Sequence, residues 1–189
     1  MKRRQSPGLY RKILVANRGE TACRVIRTCK RMGILTAAVY SEEDRDSLHV
    51  SLANEAYAIQ GKTPTDSYLN QEKILKAAGC HEVDAIHPGY GFLAENADFA
   101  EKCLKSGIRF IGPKPESIRL MGSKAAAKML MEKAGVPIVP GYHGQSQVLE
   151  VLKKEANRTG YPLLIKPLTG GGGKGLRRVN HPSEFEDAL

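Results

Sequence analysis

Apolar residues fall along this chain in two alternating spacings. Short unbroken runs, Lys12-Ile-Leu-Val-Ala16 and Ile34-Leu-Thr-Ala-Ala-Val-Tyr40, have the composition of strands buried on both faces. Between them Ala22, Val25, Ile26, Cys29 and Met32 recur at intervals of three and four, so they share one helical face, and Gly33 closes it. Strand, turn, helix and strand make a βαβ unit, whose crossover is right-handed almost without exception. The alternation continues with a short helix over 46–53, a strand over 55–60 and a helix that Asn70 caps and that runs to Ala78, stopping at Gly79. A strand over 84–87, a helix over 95–106 and a fifth strand over 108–112 follow. This pattern predicts the α/β class: a Rossmann-like, open, mostly parallel sheet with helices on both faces. It leaves the order of the strands open.

After Gly112-Pro-Lys-Pro115 the rhythm changes. Helices are predicted over 116–121 and 123–134, separated by Gly122 and closed by Gly135-Val-Pro137. Residues 137–144 read as extended connector and 147–157 as a helix carrying Val148, Leu149, Val151 and Leu152. An apolar run, Leu163-Leu-Ile165, then leads into Lys166, a run of glycines and a second strand-like run ending at Val179, which predicts a hairpin. Ser183-Glu-Phe-Glu186 has the spacing of a capping box, so the chain is read as stopping inside the first turns of a helix, as a fragment would. The expected organisation is a basic tail over 1–11, a Rossmann-like domain over 12–113, connecting helices and linker over 114–144, and a partial subdomain with the glycine hairpin over 145–189.

The glycine run carries the clearest chemistry. Glycines let backbone N–H groups approach a ligand closely, so Gly170, Gly171, Gly172 and Gly173, flanked by Lys166 and Lys174, suit a polyphosphate. A flexible linker is the competing reading, but linkers are rarely bracketed by two strand-prone runs with a lysine at each edge. Gly170, Gly172 and Gly175 also fit the spacing of a dinucleotide fingerprint, which requires a helix directly afterwards. Leu176-Arg-Arg-Val179 does not read as one, and Lys174 precedes Gly175 rather than the Ser or Thr of a Walker A loop. What remains is a glycine-rich flap between antiparallel strands, laid over phosphates.

Two further stretches lie where strands of such a sheet end, the side on which ligands gather. Ser41-Glu-Glu-Asp44 stands where a dinucleotide fold keeps its ribose-reading acid, yet the first turn offers only Gly19, so no NAD site is expected. His87-Pro-Gly-Tyr-Gly-Phe-Leu-Ala-Glu-Asn96 is a glycine-punctuated turn displaying Tyr90 and Glu95. His87 reads as a structural histidine, Glu95 as a carboxylate at a helix N-terminus with a role towards a ligand. Lys124 opens its helix, where a cation is unfavourable unless an anion is near.

Composition narrows the classes. With 41% hydrophobic and 26% charged residues among 189, the chain is globular, and no apolar run approaches the roughly 20 residues that span a bilayer. The basic N-terminal tail lacks the apolar core of a secretory signal, though a transit-sequence remnant has a similar look. A net charge of +9 invites a nucleic-acid partner, but 6% aromatic content and the helical spacing of Arg24, Arg27, Lys30 and Arg31 fit a phosphate binder with a basic helix face equally well. Four cysteines without a C-x-x-C pair read as reduced, and five scattered histidines offer no metal-ligand spacing.

Taken together, Ile13-Leu-Val-Ala-Asn-Arg-Gly-Glu20, Ile86-His-Pro-Gly-Tyr-Gly-Phe-Leu-Ala-Glu-Asn96, Phe110-Ile-Gly-Pro113, Ile118-Arg-Leu-Met-Gly-Ser-Lys124, Gly135-Val-Pro137 and the hairpin resemble the N-terminal part of biotin carboxylase. The resemblance implies a Rossmann-like domain followed by the start of an ATP-grasp module. It implies an ATP-dependent ligase that uses MgATP and bicarbonate to carboxylate biotin on a carrier domain through carboxyphosphate. By position, Lys124, Lys166 and Gly170 to Gly173 would contact ATP, and Tyr90 and Glu95 would line the biotin and bicarbonate side. The resemblance places the Mg2+ ligands, the catalytic base and the biotin-site arginine beyond Leu189, so the chain alone is expected to be incomplete. Ser123 stands where the family has Asp, Ala94 where it has Ser and Thr21 where it has Ile, while Pro167-Leu-Thr169 replaces a small pair before a shortened glycine run.

The expected partners are the biotin carboxyl carrier, a carboxyltransferase component and a second copy through the N-terminal domain, with neither nucleic acid nor membrane. The cytoplasm, or the mitochondrial matrix in a eukaryote, is the expected compartment, and Tyr40-Ser-Glu-Glu-Asp-Arg45 with Gly141-Tyr-His-Gly144 leans towards the acyl-CoA carboxylases, 3-methylcrotonyl-CoA among them. A non-catalytic product that associates with full-length subunits is the alternative.

Overall fold

The computed structural model describes residues 10–167 and 175–189, without the side chains of Lys124 and Ala125. The chain divides into two compact units, one ending at Gly122 and one beginning at Ser123.

In the first unit β1 (Lys12–Val15), β2 (Leu35–Tyr40), β3 (Glu55–Ala58), β4 (Ala85–His87) and β5 (Arg109–Phe110) form one parallel sheet in the order β3-β2-β1-β4-β5. The expected α/β class is therefore present, and the order that the pattern left open is now given. The sheet grows outward from β1 in one direction and then, from β4, in the other, so the topological switch point lies between the carboxyl ends of β1 and β4.

Alternation along β1 serves both faces. Ile13 and Val15 pack with Ala22, Val25, Ile26 and Cys29 of α1 (Gly19–Met32). Leu14 and Ala16 face the opposite layer, which α3 (Gln71–Cys80) and α4 (Ala97–Lys105) build with Ile74, Ala77, Ala78, Phe99, Ala100 and Cys103. Burying each large aliphatic or aromatic side chain in these layers contributes roughly 1.5–3 kcal/mol. A short helix, α2 (Leu48–Leu52), follows β2, and α5 (Pro115–Gly122) ties back to α4 where Arg119 meets Asp98 and Glu101.

The C-terminal end of α3 and the N-terminal end of α4 differ from expectation for reasons visible in the capping. α3 runs through Gly79 to Cys80, because the chain reverses at Glu82, whose φ is +46°, while the His81 N–H donates to the Ala77 carbonyl and the Glu82 N–H to the Gly79 carbonyl. α4 begins at Ala97 rather than at 95, because the Asn96 side chain accepts from the Phe99 N–H and takes the cap. Glu95 consequently lies in the turn before the helix, outside its first turn.

In the second unit α6 (Lys124–Lys133) is capped by the Ser123 hydroxyl, which accepts from the Ala126 N–H. α7 (Leu149–Thr159) precedes β6 (Leu163–Ile165) and β7 (Arg177–Val179), which pair antiparallel with Leu163 opposite Val179 and Ile165 opposite Arg177. Ala156, Val179 and Phe185 form a small core with Leu152, Leu163 and Ile165. The capping box expected at Ser183 does not form. Ser183 sits within a 3-10 turn, Pro182–Glu184, ahead of α8 (Phe185–Ala188), and the Glu184 carboxylate instead accepts from the Asn180 N–H. Glu186 pairs with Lys153.

Candidate functional site

At the switch point the turn after β1 and the long loop after β4 are stitched together by one side chain. Asn17, 3% exposed, donates from Nδ2 to the carbonyls of Pro88 at 2.7 Å and Tyr90 at 2.8 Å, and its Oδ1 accepts from the Arg18 N–H at 2.9 Å. All three of these bonds go to backbone groups. This approach works only because residue 89 is glycine: its φ is +68°, and a Cβ there would lie 2.5 Å from Thr21 Cγ2 and 2.8 Å from Asn17 Nδ2. We expect Gly89→Ala to destabilise the first unit by about 3 kcal/mol, combining overpacking with left-handed backbone strain. A urea midpoint corresponding to a loss below about 0.5 kcal/mol, the range of inert surface changes, would show that the loop yields freely.

Between the two loops lies a cleft of about 380 Å³ lined by Asn17, Arg18, Gly19, Thr21, Tyr90, Gly91 and Phe92. Arg18 crosses it. Its guanidinium lies 5.5 Å from the ring centre of Tyr68 and 5.8 Å from that of Phe92, and those two rings stack on each other. Nη1 reaches Asp44 Oδ2 at 3.3 Å. The same Asp44 oxygen accepts from the Tyr68 hydroxyl at 2.7 Å and from Ser41 Oγ at 3.0 Å, while Tyr68 Oη accepts from the Ser41 N–H. Burial works against ionisation of Asp44, but the bonds from Tyr68, Ser41 and Arg18 outweigh it and hold the carboxyl below its usual range. Burial and the neighbouring carboxylate push the Tyr68 phenol well above its ordinary value, so it stays a donor. The acid in the ribose-reading position is thus spent on the protein itself.

Tyr90 is two-thirds exposed at the rim, and its hydroxyl donates to Glu20 Oε2 at 2.9 Å. Glu95 is exposed and forms no side-chain hydrogen bond among the described residues. His87 accepts from the Gly89 N–H through Nδ1, and burial, aided by the charge of Arg24, lowers its pKa, so it acts as a neutral brace within the loop.

In the second unit Lys166 directly follows β6, is exposed and has no ion pair among the described residues. The two strands, β6 and β7, pair antiparallel, and the described residues before β7, Gly175 and Leu176, are not helical. Gly170, Gly171, Gly172 and Gly173 lie outside the described residues, as does the Lys124 side chain, although Lys124 is the first residue of α6.

Sequence reasoning placed Tyr90 correctly on a loop at a strand end but missed Asn17, Arg18 and Tyr68. A polar pair, Asn17-Arg18, immediately after a fully buried strand was the available signal.

Comparison with known proteins gives the family. The profile for the biotin carboxylase N-terminal domain matches residues 9–118. The chain belongs to the biotin carboxylase family. The profile of the carbamoyl-phosphate synthase L chain ATP binding domain matches residues 123–189. The alpha subunit of a mitochondrial methylcrotonoyl-CoA carboxylase from Oryza sativa is 57% identical over 178 residues, 94% of this chain and 24% of that protein. A biotin carboxylase from Campylobacter jejuni, solved as a complex named for β,γ-ATP, superposes with a TM-score of 0.88 at 46% identity, over 95% of this chain and 40% of that one. The biotin carboxylase domain of the Hydrogenobacter thermophilus 2-oxoglutarate carboxylase, a dimer with MgADP, ADP and bicarbonate, gives 0.84 at 50% identity with the same coverage. This chain therefore spans about a quarter of the length of the curated relative and 40% of the solved chains.

Proposed function

We propose that this chain supplies the N-terminal domain and the ATP-covering hairpin of a biotin carboxylase. The reaction joins MgATP and bicarbonate: a bicarbonate oxygen takes the γ-phosphoryl group, ADP leaves, and the resulting carboxyphosphate delivers its carboxyl group to a biotin nitrogen as phosphate departs. The observation that carries the reading is the antiparallel pairing of β6 with β7 around the glycine run. A dinucleotide fingerprint or a Walker loop opens a helix at that point, whereas a hairpin can fold as a flap over phosphates.

Lys166, exposed and without an ion pair among the described residues at the root of the flap, offers a point charge for the nucleotide phosphates, and Lys124 opens a helix in the same unit. Gly170 to Gly173 would supply backbone N–H groups, and closure of the flap would keep water from carboxyphosphate. Tyr90 and Glu95, on the loop after β4, would face the biotin and bicarbonate side. The Mg2+ ligands belong to the part of the relatives that this chain does not span. The partners are a biotin carboxyl carrier, a carboxyltransferase component of the acyl-CoA class and a second copy meeting the N-terminal domain, in the cytoplasm or the mitochondrial matrix.

The 189-residue chain alone, given MgATP, bicarbonate and free biotin, is expected to release no phosphate in a biotin-stimulated manner while showing a folded far-UV spectrum. Biotin-stimulated release would overturn the assignment of the missing ligands.

A further inference from the structure

Tyr90 is an exposed aromatic residue tied down at both ends. At its backbone, the buried Asn17 side chain donates to the carbonyls of Pro88 and of Tyr90 itself. At its tip, the phenol hydroxyl donates to Glu20 Oε2 in the first turn of α1. The side chain therefore reaches from the loop after β4 across to α1, beside the cleft that Tyr90, Gly19 and Thr21 line, although two-thirds of the residue is exposed. A surface tyrosine without such ties is free to change rotamer, and a ligand that meets it must first order it.

The backbone on either side of Tyr90 is held as well. Gly89, Gly91 and Phe92 all have positive φ, at +68°, +71° and +40°. For phenylalanine this conformation is strained, and such strain persists only where the surroundings enforce it. Here they do: the Phe92 ring stacks on the buried Tyr68 ring and lies 5.8 Å from the Arg18 guanidinium. An enforced backbone under an exposed, tethered ring is how a fold presents a group to a ligand.

Glu20 has two duties that its chemistry separates. As an acid in the first turn of α1 it favours the helix through its charge. As the acceptor for the Tyr90 hydroxyl it needs reach, and a neutral oxygen at the same distance would serve.

We propose that Glu20 is a positioning residue, which holds the Tyr90 ring, already fixed at its backbone by Asn17, as a preformed platform for the flat ureido ring of the biotin substrate. This role rests on the biotin carboxylase reading, which supplies the ligand. An aromatic face suits a planar group, and a ring ordered beforehand spares the cost of ordering it on binding.

Two measurements test it. In the 189-residue chain with 13C-labelled tyrosine rings, Glu20→Ala is expected to mobilise the ring of Tyr90 and of no other tyrosine. The second uses a chimera in which this chain replaces the matching part of the Campylobacter jejuni biotin carboxylase. There Glu20→Ala and Tyr90→Phe should each raise KM for free biotin roughly 3–10-fold, the loss of one hydrogen bond, and leave KM for ATP in place. The double variant should be no worse than either single one. Glu20→Gln, which keeps reach and acceptor, should recover most of the loss, whereas Glu20→Asp, which keeps the charge but is one methylene short, should behave like Glu20→Ala. The opposite ranking is what a helix-terminus charge alone would give, and it overturns the platform. So do additive losses, a rise shared equally by ATP, or a Tyr90 ring that stays as ordered in Glu20→Ala as in the parent. A chimera without any turnover overturns the carboxylase reading and the biotin role with it, while the ring measurement separately decides whether Glu20 holds Tyr90.

Discussion

Lys166→Ala is expected to lower kcat/KM for ATP by about 100-fold or more, close to 3 kcal/mol of lost transition-state stabilisation, the scale of one preorganised charge at a phosphoryl centre. The setting is a chimera in which this chain replaces the matching N-terminal part of the Campylobacter jejuni biotin carboxylase, whose fold it superposes with a TM-score of 0.88. The size of the effect rests on three observations. Lys166 is exposed immediately after β6, it makes no ion pair among the described residues, and the strand it extends is fixed by antiparallel pairing to β7. A surface lysine with no anion to meet would cost almost nothing to remove. Lys166→Arg keeps the charge but changes its shape, so it should retain activity between the two. A steady-state comparison in which Lys166→Ala stays within about threefold of the parent, under 1 kcal/mol, would place the phosphates elsewhere.

Asp44→Ala should destabilise the first unit by about 3 kcal/mol, because it leaves the Tyr68 hydroxyl, the Ser41 hydroxyl and the Arg18 guanidinium without their shared acceptor. Tyr68 is 1% exposed, so its stranded hydroxyl cannot turn to bulk water without moving the ring stacked on Phe92. The same residue gives the unit an acid limb. The folded-state carboxyl is depressed below its ordinary value, so its stabilising contribution is fully present above the unfolded pKa of about 4 and is lost as the pH falls through the lower folded value. Asp44→Asn, which keeps an acceptor but not the charge, should therefore start less stable at neutral pH and lose less on acidification. Urea midpoints of both chains from neutral pH down to below about 4 would reveal this, and parallel curves would mean that Asp44 carries no part of the acid sensitivity.

The sheet was legible because its strands are continuous apolar runs and its helices show their faces at intervals of three and four; Asn70, Ser123 and Gly33 punctuate helices as expected of their types. What stayed hidden depends on contacts between distant segments. The order of the strands cannot be read from runs that look alike, and with it went the knowledge that the turn at Asn17 and the loop at Tyr90 are neighbours. Asn17 reads as a turn residue until it is seen bonded to the carbonyls of residues 88 and 90. Tyr68 sits in a stretch of polar and small residues with no period of its own, yet it anchors Asp44 from 24 positions away. Local competition explains the misplaced ends. Asn96 outcompetes Glu95 for the cap of α4, and Glu184 reaches back to Asn180 where Ser183 had the spacing but not the geometry. Lys124 and the glycines were singled out on chemistry that belongs to a bound nucleotide, which no backbone pattern displays.

The most direct measurement is bicarbonate-dependent, biotin-stimulated phosphate release by the Campylobacter chimera carrying this chain in place of its own N-terminal part. The account predicts turnover within about tenfold of the parent enzyme, since the chain would deliver Lys166, the glycine flap and the Tyr90 loop in their working places. A chimera that folds and assembles like the parent yet releases no phosphate above background would contradict it.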